Sequence, residues 1–320
     1  MTSALTHLRA PLAVQESAPA CVAMGGGVSR SLQTGASQLP QGLHHSVDNA
    51  VAGASIPALA VVTFVPTSLG FVRKSLAFGI GYSLSVAVGG FFVAMCAPQR
   101  LSKHAALQAL GATAHGLRLA HYIFTRDKGG GMPEDYKQAM AAMEGDTTPV
   151  GRLKRLPLVA SCAGMYALVM APLVHSLRHP SSDDEPLSWL GVALQWTGLA
   201  LAAAADWQKH VHKRRKQDRW CDTGLYRYCR HPNYLGELVF WGGAFVAGAR
   251  SYHGAAEWLS ASMGLAAISA TMLGATSRLE RKEAARYANV PGRASYVECT
   301  GALMPRVKAL RLPRLRKPAA

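Results

Sequence analysis

The sequence predicts an all-α, polytopic integral membrane protein with about seven transmembrane helices. Hydrophobic residues make up 49% of the 320-residue chain and charged residues only 16%, whereas charged residues are about 25% of a typical soluble domain. Residues 75–97 contain no charge at all, and a helix of that length spans roughly 34 Å, enough to cross a bilayer. The predicted spans are 51–72, 75–97, 105–125, 156–177, 187–205, 234–249 and 256–275.

Composition divides the chain into three regions. Residues 1–50 are rich in Ala, Ser, Thr and Gly, and their only acids are Glu16 and Asp48. This composition is typical of an organelle transit peptide and equally of a disordered tail, because neither buries a core. We assign 51–305 to a membrane domain and 306–320 to a basic tail.

The basic residues are unevenly distributed between the predicted loops. Thirty-four Lys and Arg against eighteen Asp and Glu give a formal net charge of +16, which suits a chain that faces anionic lipid or phosphate-bearing ligands. With seven spans, 27 basic residues lie on the side of the carboxyl end, six lie on the other side, and Arg118 alone lies within a span. The carboxyl end is therefore expected on the cytosolic-equivalent side and the amino end opposite.

Several kinds of site are not indicated by the sequence. The six cysteines contain no C-x-x-C pair, which argues against a disulfide framework or a zinc site. His210 and His212 alternate and do not share a helix face, so a metal site with His231 is not predicted either. A P-loop or a dinucleotide-binding glycine motif after a strand pattern is also missing.

The segment most suggestive of chemistry is 204–243, and within it 230–237 reads RHPNYLGE. Pro232 suits the first turn of a helix, whose unpaired N–H groups would favour an anion. Asn233 and Glu237 are four residues apart and share one helix face, while Gly236 permits close approach by another helix or a ligand. A carboxylate inside a membrane is costly and usually paired or functional; the alternative is that Glu237 caps a neighbouring helix.

A basic strip follows Asp206 and runs from Lys209 to Arg219. It is consistent with a positive-inside anchor or a lipid-headgroup patch, and equally with a site for a phosphate-bearing cofactor. Nucleic-acid binding is not expected, because the strip lies between two predicted spans.

These motifs, in this order, resemble the steroid 5-alpha-reductase family, and most closely its branch known as DUF1295. The likeness rests on ADWQK at 205–209, GLYRY at 224–228, RHPNYLGE at 230–237, ERK at 280–282 with the later Tyr296, and TGALMP at 300–305. It covers roughly 105–305 and is strongest over 204–243.

The resemblance implies seven helices around NADPH on the cytosolic side, and hydride transfer to an activated carbon–carbon double bond. The positions that it assigns to cofactor binding are Asp206, Lys213, Tyr228, Arg230, Asn233, Glu237 and Arg278. A second match, HYIFTR at 121–126, assigns Tyr122 a catalytic role beside Glu237, in which its hydroxyl polarises a substrate carbonyl; the alternative for Tyr122 is an aromatic-belt residue.

We therefore expect an NADPH-dependent reductase that acts on a lipid, sterol- or isoprenoid-like, in an ER or plastid membrane. The chain has no acid between Asp48 and Asp127, whereas the steroid reductases place a glutamate in an early helix, so a 3-oxosteroid substrate is not expected. The alternatives are a lipid or isoprenylcysteine methyltransferase that uses S-adenosylmethionine, and a non-enzymatic membrane protein.

The charge asymmetry predicts that the carboxyl tail and segment 206–230 lie on one side of the membrane. Extraction with alkaline carbonate should leave the protein in the pellet, and protease added to sealed vesicles should cut both segments or neither. Release into the supernatant, or cleavage of one segment alone, would contradict this topology.

Overall fold

The computed structural model describes residues 53–128, 138, 141–142, 144–216 and 218–306. The predicted tail at 1–50 and nearly all of the predicted tail at 306–320 lie outside these residues. The described part is all-α, as predicted, with no β-strand in it. Its helices are α1 (Ile56–Thr67), α2 (Lys74–Phe78), α3 (Ile80–Cys96), α4 (Lys103–Lys128), α5 (Pro149–Leu153), α6 (Leu156–Val169), α7 (Ala171–Arg178), α8 (Pro186–Arg215), α9 (Pro232–Gly248), α10 (Ala255–Arg286) and α11 (Arg293–Cys299).

Proline marks where many of these helices begin. It lies in the first turn of α1, α5, α6, α7, α8 and α9, where its missing N–H has no helical partner to lose. The proline at the start of α7 also separates that helix from α6, and the two meet at a bend of 48°.

Several helices are apolar enough to fit an integral membrane protein. Among the described residues, Lys74–Cys96, Pro186–Arg215 and Ala255–Arg286 are long and apolar enough to cross a bilayer, and the bent pair α6–α7 is a fourth candidate. Each of the seven predicted spans falls on a helix or a helix pair. The other three predicted spans lie on helices that are not both long and apolar enough to cross a bilayer: α1 is short, α9 has 17 residues, and α4 carries polar side chains along its length.

Small residues let α8 and α9 pack as a close antiparallel pair. A Cβ added at Gly236 would lie 2.6 Å from the backbone nitrogen of Ala202, closer than any real contact. The same holds along the whole contact, where the facing pairs are Gly191 with Ala247, Gln195 with Gly243, Gly198 with Phe240, and Ala202 with Gly236. Close backbone approach through small residues is the usual way for helices to associate in a membrane.

A second close contact joins α3 to α4. Gly116 of α4 lies directly against Ser83 and Ala87 of α3. Helix α4 also packs on α8, so α3, α4, α8 and α9 lie side by side and enclose the inward face of α4.

The outward face of α4 is apolar. Leu110, Leu117 and Phe124 recur at seven-residue intervals and are each more than half exposed, whereas Gln108 and His115 on the inward face are buried. This inverted arrangement, with polar groups inside and apolar groups outside, suits a lipid environment rather than water.

The segment after α10 returns to the beginning of α9. Gly292, with φ of 88°, makes the turn into α11 in a conformation that favours glycine. Beyond α11, the N–H groups of Arg230 and His231 donate to the carbonyls of Gly301 and Ala302 at 2.9 and 3.0 Å. The first turn of α9 is therefore held in place by residues about seventy positions later in the chain.

The α8–α9 contact predicts opposite effects of alanine at two adjacent glycines. Gly243→Ala should lower the unfolding temperature markedly, because its Cβ would overlap the backbone of Gln195. Gly242→Ala should leave the temperature unchanged or raise it, because no atom lies within 4 Å of its added Cβ and alanine favours the helix by about 1 kcal/mol. Thermal unfolding of both variants in detergent measures this, and equal unfolding temperatures would disprove the packing.

Candidate functional site

A group of buried polar side chains from four helices meets inside the bundle. We call it the central cluster; its members are Tyr82 on α3, His115 and Arg118 on α4, Asp206 on α8, and Glu237 and Trp241 on α9. Five of the six are no more than 6% exposed, and the Arg118 side chain is 20% exposed.

Arg118 bridges the two carboxylates of the central cluster. Its Nη1 donates to Asp206 Oδ2 at 2.5 Å, and its Nη2 lies 3.8 Å from Glu237 Oε1. Two carboxylates this deeply buried would repel each other and would lack solvation, so the guanidinium between them offsets both costs.

Glu237 is held at both oxygens. The Tyr82 hydroxyl donates to Oε2 at 3.2 Å, and His115 Nε2 lies 3.1 Å from Oε1. Trp241 Nε1 in turn donates to the Tyr82 hydroxyl at 2.9 Å, and the His115 ring stacks on Phe240 with centroids 4.3 Å apart. The carboxylate thus lies inside the bundle, and its side chain is held by groups from two other helices.

Four buried nitrogens of the central cluster form no hydrogen bond with a described residue: Nε and Nη2 of Arg118, and Nδ1 and Nε2 of His115. Of these, Arg118 Nη2 and His115 Nε2 lie 3.8 and 3.1 Å from Glu237 Oε1. Because a buried unpaired polar group costs about 1–3 kcal/mol, such groups mark a place where a polar part of a ligand can bind.

The other residues of the predicted cofactor set differ in their surroundings. Asn233, half-buried, lies one turn before Glu237 on α9. Tyr228 is 40% exposed, and Arg278 is exposed on α10. The structure thus brings together Asp206 and Glu237, with Asn233 adjacent on the same helix.

Arg230 and Lys213 already have protein partners. The Arg230 guanidinium pairs with Glu280, 2.6 Å from Nη2 to Oε2, and donates to the carbonyls of Val297 and Thr300. Lys213 Nζ donates to the Tyr287 hydroxyl at 2.6 Å. In the described structure both cations stabilise the segment after α10, so a ligand that binds them would have to share them or replace these contacts.

Tyr122 lies close to the central cluster, on the same helix as His115 and Arg118. It is half-buried, one turn beyond Arg118 on α4, and within electrostatic range of Asp206 and Tyr234. The residues expected to serve substrate and cofactor are therefore neighbours, joined through Arg118.

Sequence reasoning missed four functional candidates: Tyr82, His115, Trp241 and Glu280. For His115 a signal existed, because His115 and Arg118 are polar, three residues apart and inside one predicted span, where such residues are rare. No such sequence signal marked Tyr82 or Trp241, since aromatic residues are ordinary members of apolar helices.

The match to a known family covers most of the bundle. Residues 75–300 match the family described as protein of unknown function DUF1295. The chain belongs to the DUF1295 family. No curated protein and no solved structure matches the chain. The DUF1295 segment contains every member of the central cluster, together with Tyr122.

The bridging role of Arg118 predicts a large loss of stability when it is removed. Arg118→Met should lower the free energy of unfolding by about 3–5 kcal/mol, because it leaves two buried carboxylates without their cation. The matched control is Lys103→Met, which removes an exposed pair with Asp183 at 3.6 Å and should cost less than about 1 kcal/mol. Denaturant unfolding in detergent compares the two, and similar losses would show that Arg118 does not bridge buried charges.

Proposed function

We propose that this protein is a membrane-embedded, NADPH-dependent reductase of a carbon–carbon double bond in a sterol- or isoprenoid-like lipid. The observation that carries the proposal is the central cluster, a charged and hydrogen-bonded site inside an apolar helix bundle. Membership of DUF1295, a family associated with steroid 5-alpha-reductase-like proteins, supports it.

The residues of the central cluster suit the nicotinamide end of NADPH. A carboxamide offers one acceptor and two donors. The unpartnered Nε–H of Arg118 matches the acceptor, and the carboxylates of Asp206 and Glu237, with the amide of Asn233, match the donors. The basic strip that follows Asp206 suits the phosphates of the same molecule.

In this proposal one set of side chains binds the cofactor, and Tyr122 acts on the substrate. Asn233, Asp206 and Glu237 orient the cofactor, and Lys213, Arg230, Arg278 and Tyr228 lie towards its phosphate end. Bound NADPH would supply a hydride to the β-carbon of the double bond. Tyr122 donates a hydrogen bond to the conjugated carbonyl, which makes that carbon more electrophilic, and a proton added at the α-carbon completes the reduction.

The surroundings of the site support a lipid as the proposed substrate. The outward face of α4 is apolar, while its inward face carries His115 and Arg118. A lipid can therefore place its apolar part among membrane-facing side chains and its polar, reacting end near Tyr122. Water is largely kept from this region, which strengthens each electrostatic contact.

Cofactor choice separates this proposal from the methyltransferase alternative. Detergent-purified protein is titrated in parallel with NADPH, NADH and S-adenosylmethionine. We expect NADPH to bind most tightly, and its binding to weaken with salt, because charge-assisted contacts to phosphate are screened. Binding of S-adenosylmethionine alone would contradict the reductase proposal and support the methyltransferase alternative.

Two conservative substitutions test the assigned roles. Glu237→Gln should weaken NADPH binding, because it removes the charge that holds Arg118 and His115 beside the cofactor. Tyr122→Phe should lower single-turnover reduction about 100-fold, because it removes one donor to the carbonyl, and it should leave NADPH affinity nearly unchanged. Both variants are assayed with an enone lipid found by screening. Full turnover in Tyr122→Phe would show that Tyr122 is an aromatic-belt residue and does not polarise the carbonyl.

A further inference from the structure

We propose that a second site, outside the central cluster, binds a phosphate monoester. The site is a pocket between the end of α8, the loop before α9 and the segment after α10, and we call it the basic pocket. The residues that matter for its chemistry are Lys209, Lys213, Trp220, Tyr226, Glu283 and Arg293.

Three residues that line the basic pocket carry buried donors without acceptors. The Tyr226 hydroxyl, Trp220 Nε1 and both Nε and Nη1 of Arg293 are buried, and within the described ranges none has a hydrogen-bond partner. Their residues are 2%, 3% and 7% exposed. Four unsatisfied donors at one pocket are costly to leave unpaired, and an anion with several acceptor oxygens would satisfy them together.

The Arg293 guanidinium is fixed in position before any ligand binds. Its Nη2 donates to Glu283 at 2.9 Å, and its Cζ atom lies 5.5–5.6 Å from the ring centres of Trp220, Tyr287 and Tyr296. The remaining N–H groups can therefore bind a ligand at little cost in side-chain entropy.

The charge of the pocket favours a doubly charged anion. Four cations, Lys209, Lys213, Arg230 and Arg293, and a single acid, Glu283, line the pocket; of the cations, Arg230 is already paired with Glu280. Burial, with a smaller contribution from Asp206, raises the pKa of Tyr226 above its ordinary value, so its hydroxyl keeps the proton that it would donate. The space between the walls is about 260 Å³ when the adjoining open solvent is included, so a phosphate group would bind at the open side of the pocket with its ester-linked remainder extending outward.

Two sources share this chemistry. One is the 2′-phosphate of NADPH, and this choice rests on the proposed function. The other is the headgroup of an anionic phospholipid with a terminal phosphate, and this choice does not rest on the proposed function. The residues that recognise the phosphate are the same in both cases.

Tyr226→Phe is the test variant, because it deletes a hydroxyl that has no partner in the folded protein. Its unfolding temperature should stay the same or rise. Its affinity for inorganic phosphate, measured calorimetrically on the detergent-purified full chain, should fall about tenfold or more, since one hydrogen bond to a charged ligand is lost. The matched control is Tyr252→Phe, whose hydroxyl donates to the Phe245 carbonyl at 2.8 Å; it should lose stability and keep phosphate affinity.

Adenosine 2′-monophosphate and short-chain phosphatidic acid distinguish the sources, since the true source should bind more tightly than inorganic phosphate. If inorganic phosphate does not bind at millimolar concentration, or if both tyrosine variants bind it like the wild type, the basic pocket is not a phosphate site. Phosphate binding that depends on Tyr226, in a protein that does not bind NADPH, would uphold the pocket and reject the reductase. NADPH binding unaffected by Tyr226→Phe, without binding of inorganic phosphate, would do the reverse.

Discussion

The Arg118 guanidinium lies between the carboxylates of Asp206 and Glu237, and the arrangement of four helices depends on this contact. Two charges cannot stay buried so close together without a cation between them. Arg118 on α4 reaches both only because α8 and α9 approach through their glycines, as at Gly236 beside Ala202. Helix α3 adds Tyr82 to the same carboxylate. Packing through small residues and pairing of buried charges are thus two parts of one constraint.

This constraint also gives the molecule its chemical character. The polar groups are assembled before a ligand arrives, which is the condition under which hydrogen bonds and charges act most strongly on a reacting molecule. Helix α4 presents apolar residues outward, and under the proposed function a hydrophobic substrate would reach the polar site from the membrane. Towards the basic strip, Arg230 is paired with Glu280, which fixes the start of α9 and hence the position of Glu237, about one and a half turns later.

Much of the helical framework could be predicted from the sequence, because apolar length and proline positions are local signals. The 230–237 motif correctly indicated a proline-initiated helix with Glu237 on its buried face. The partners of that glutamate could not be predicted, since Tyr82 lies 155 residues earlier in the chain. The roles of Arg230 and Lys213 were equally hidden, because their partners, Glu280 and Tyr287, come from the segment around the end of α10. The periodicity of a helical sequence shows which side chains share a face of the helix. Which residues pack against that face depends on the fold.

Hydride transfer to a lipid double bond is the activity that we propose for the central cluster. It can be followed with NADPH that carries deuterium at the transferable position of the nicotinamide, supplied to membranes containing the protein, with the lipids analysed by mass spectrometry. We expect a reduced lipid that carries one deuterium at the former double bond and is not formed by Glu237→Gln. A lipid that gains a methyl group from S-adenosylmethionine, with no deuterium incorporated from NADPH, would contradict the proposal.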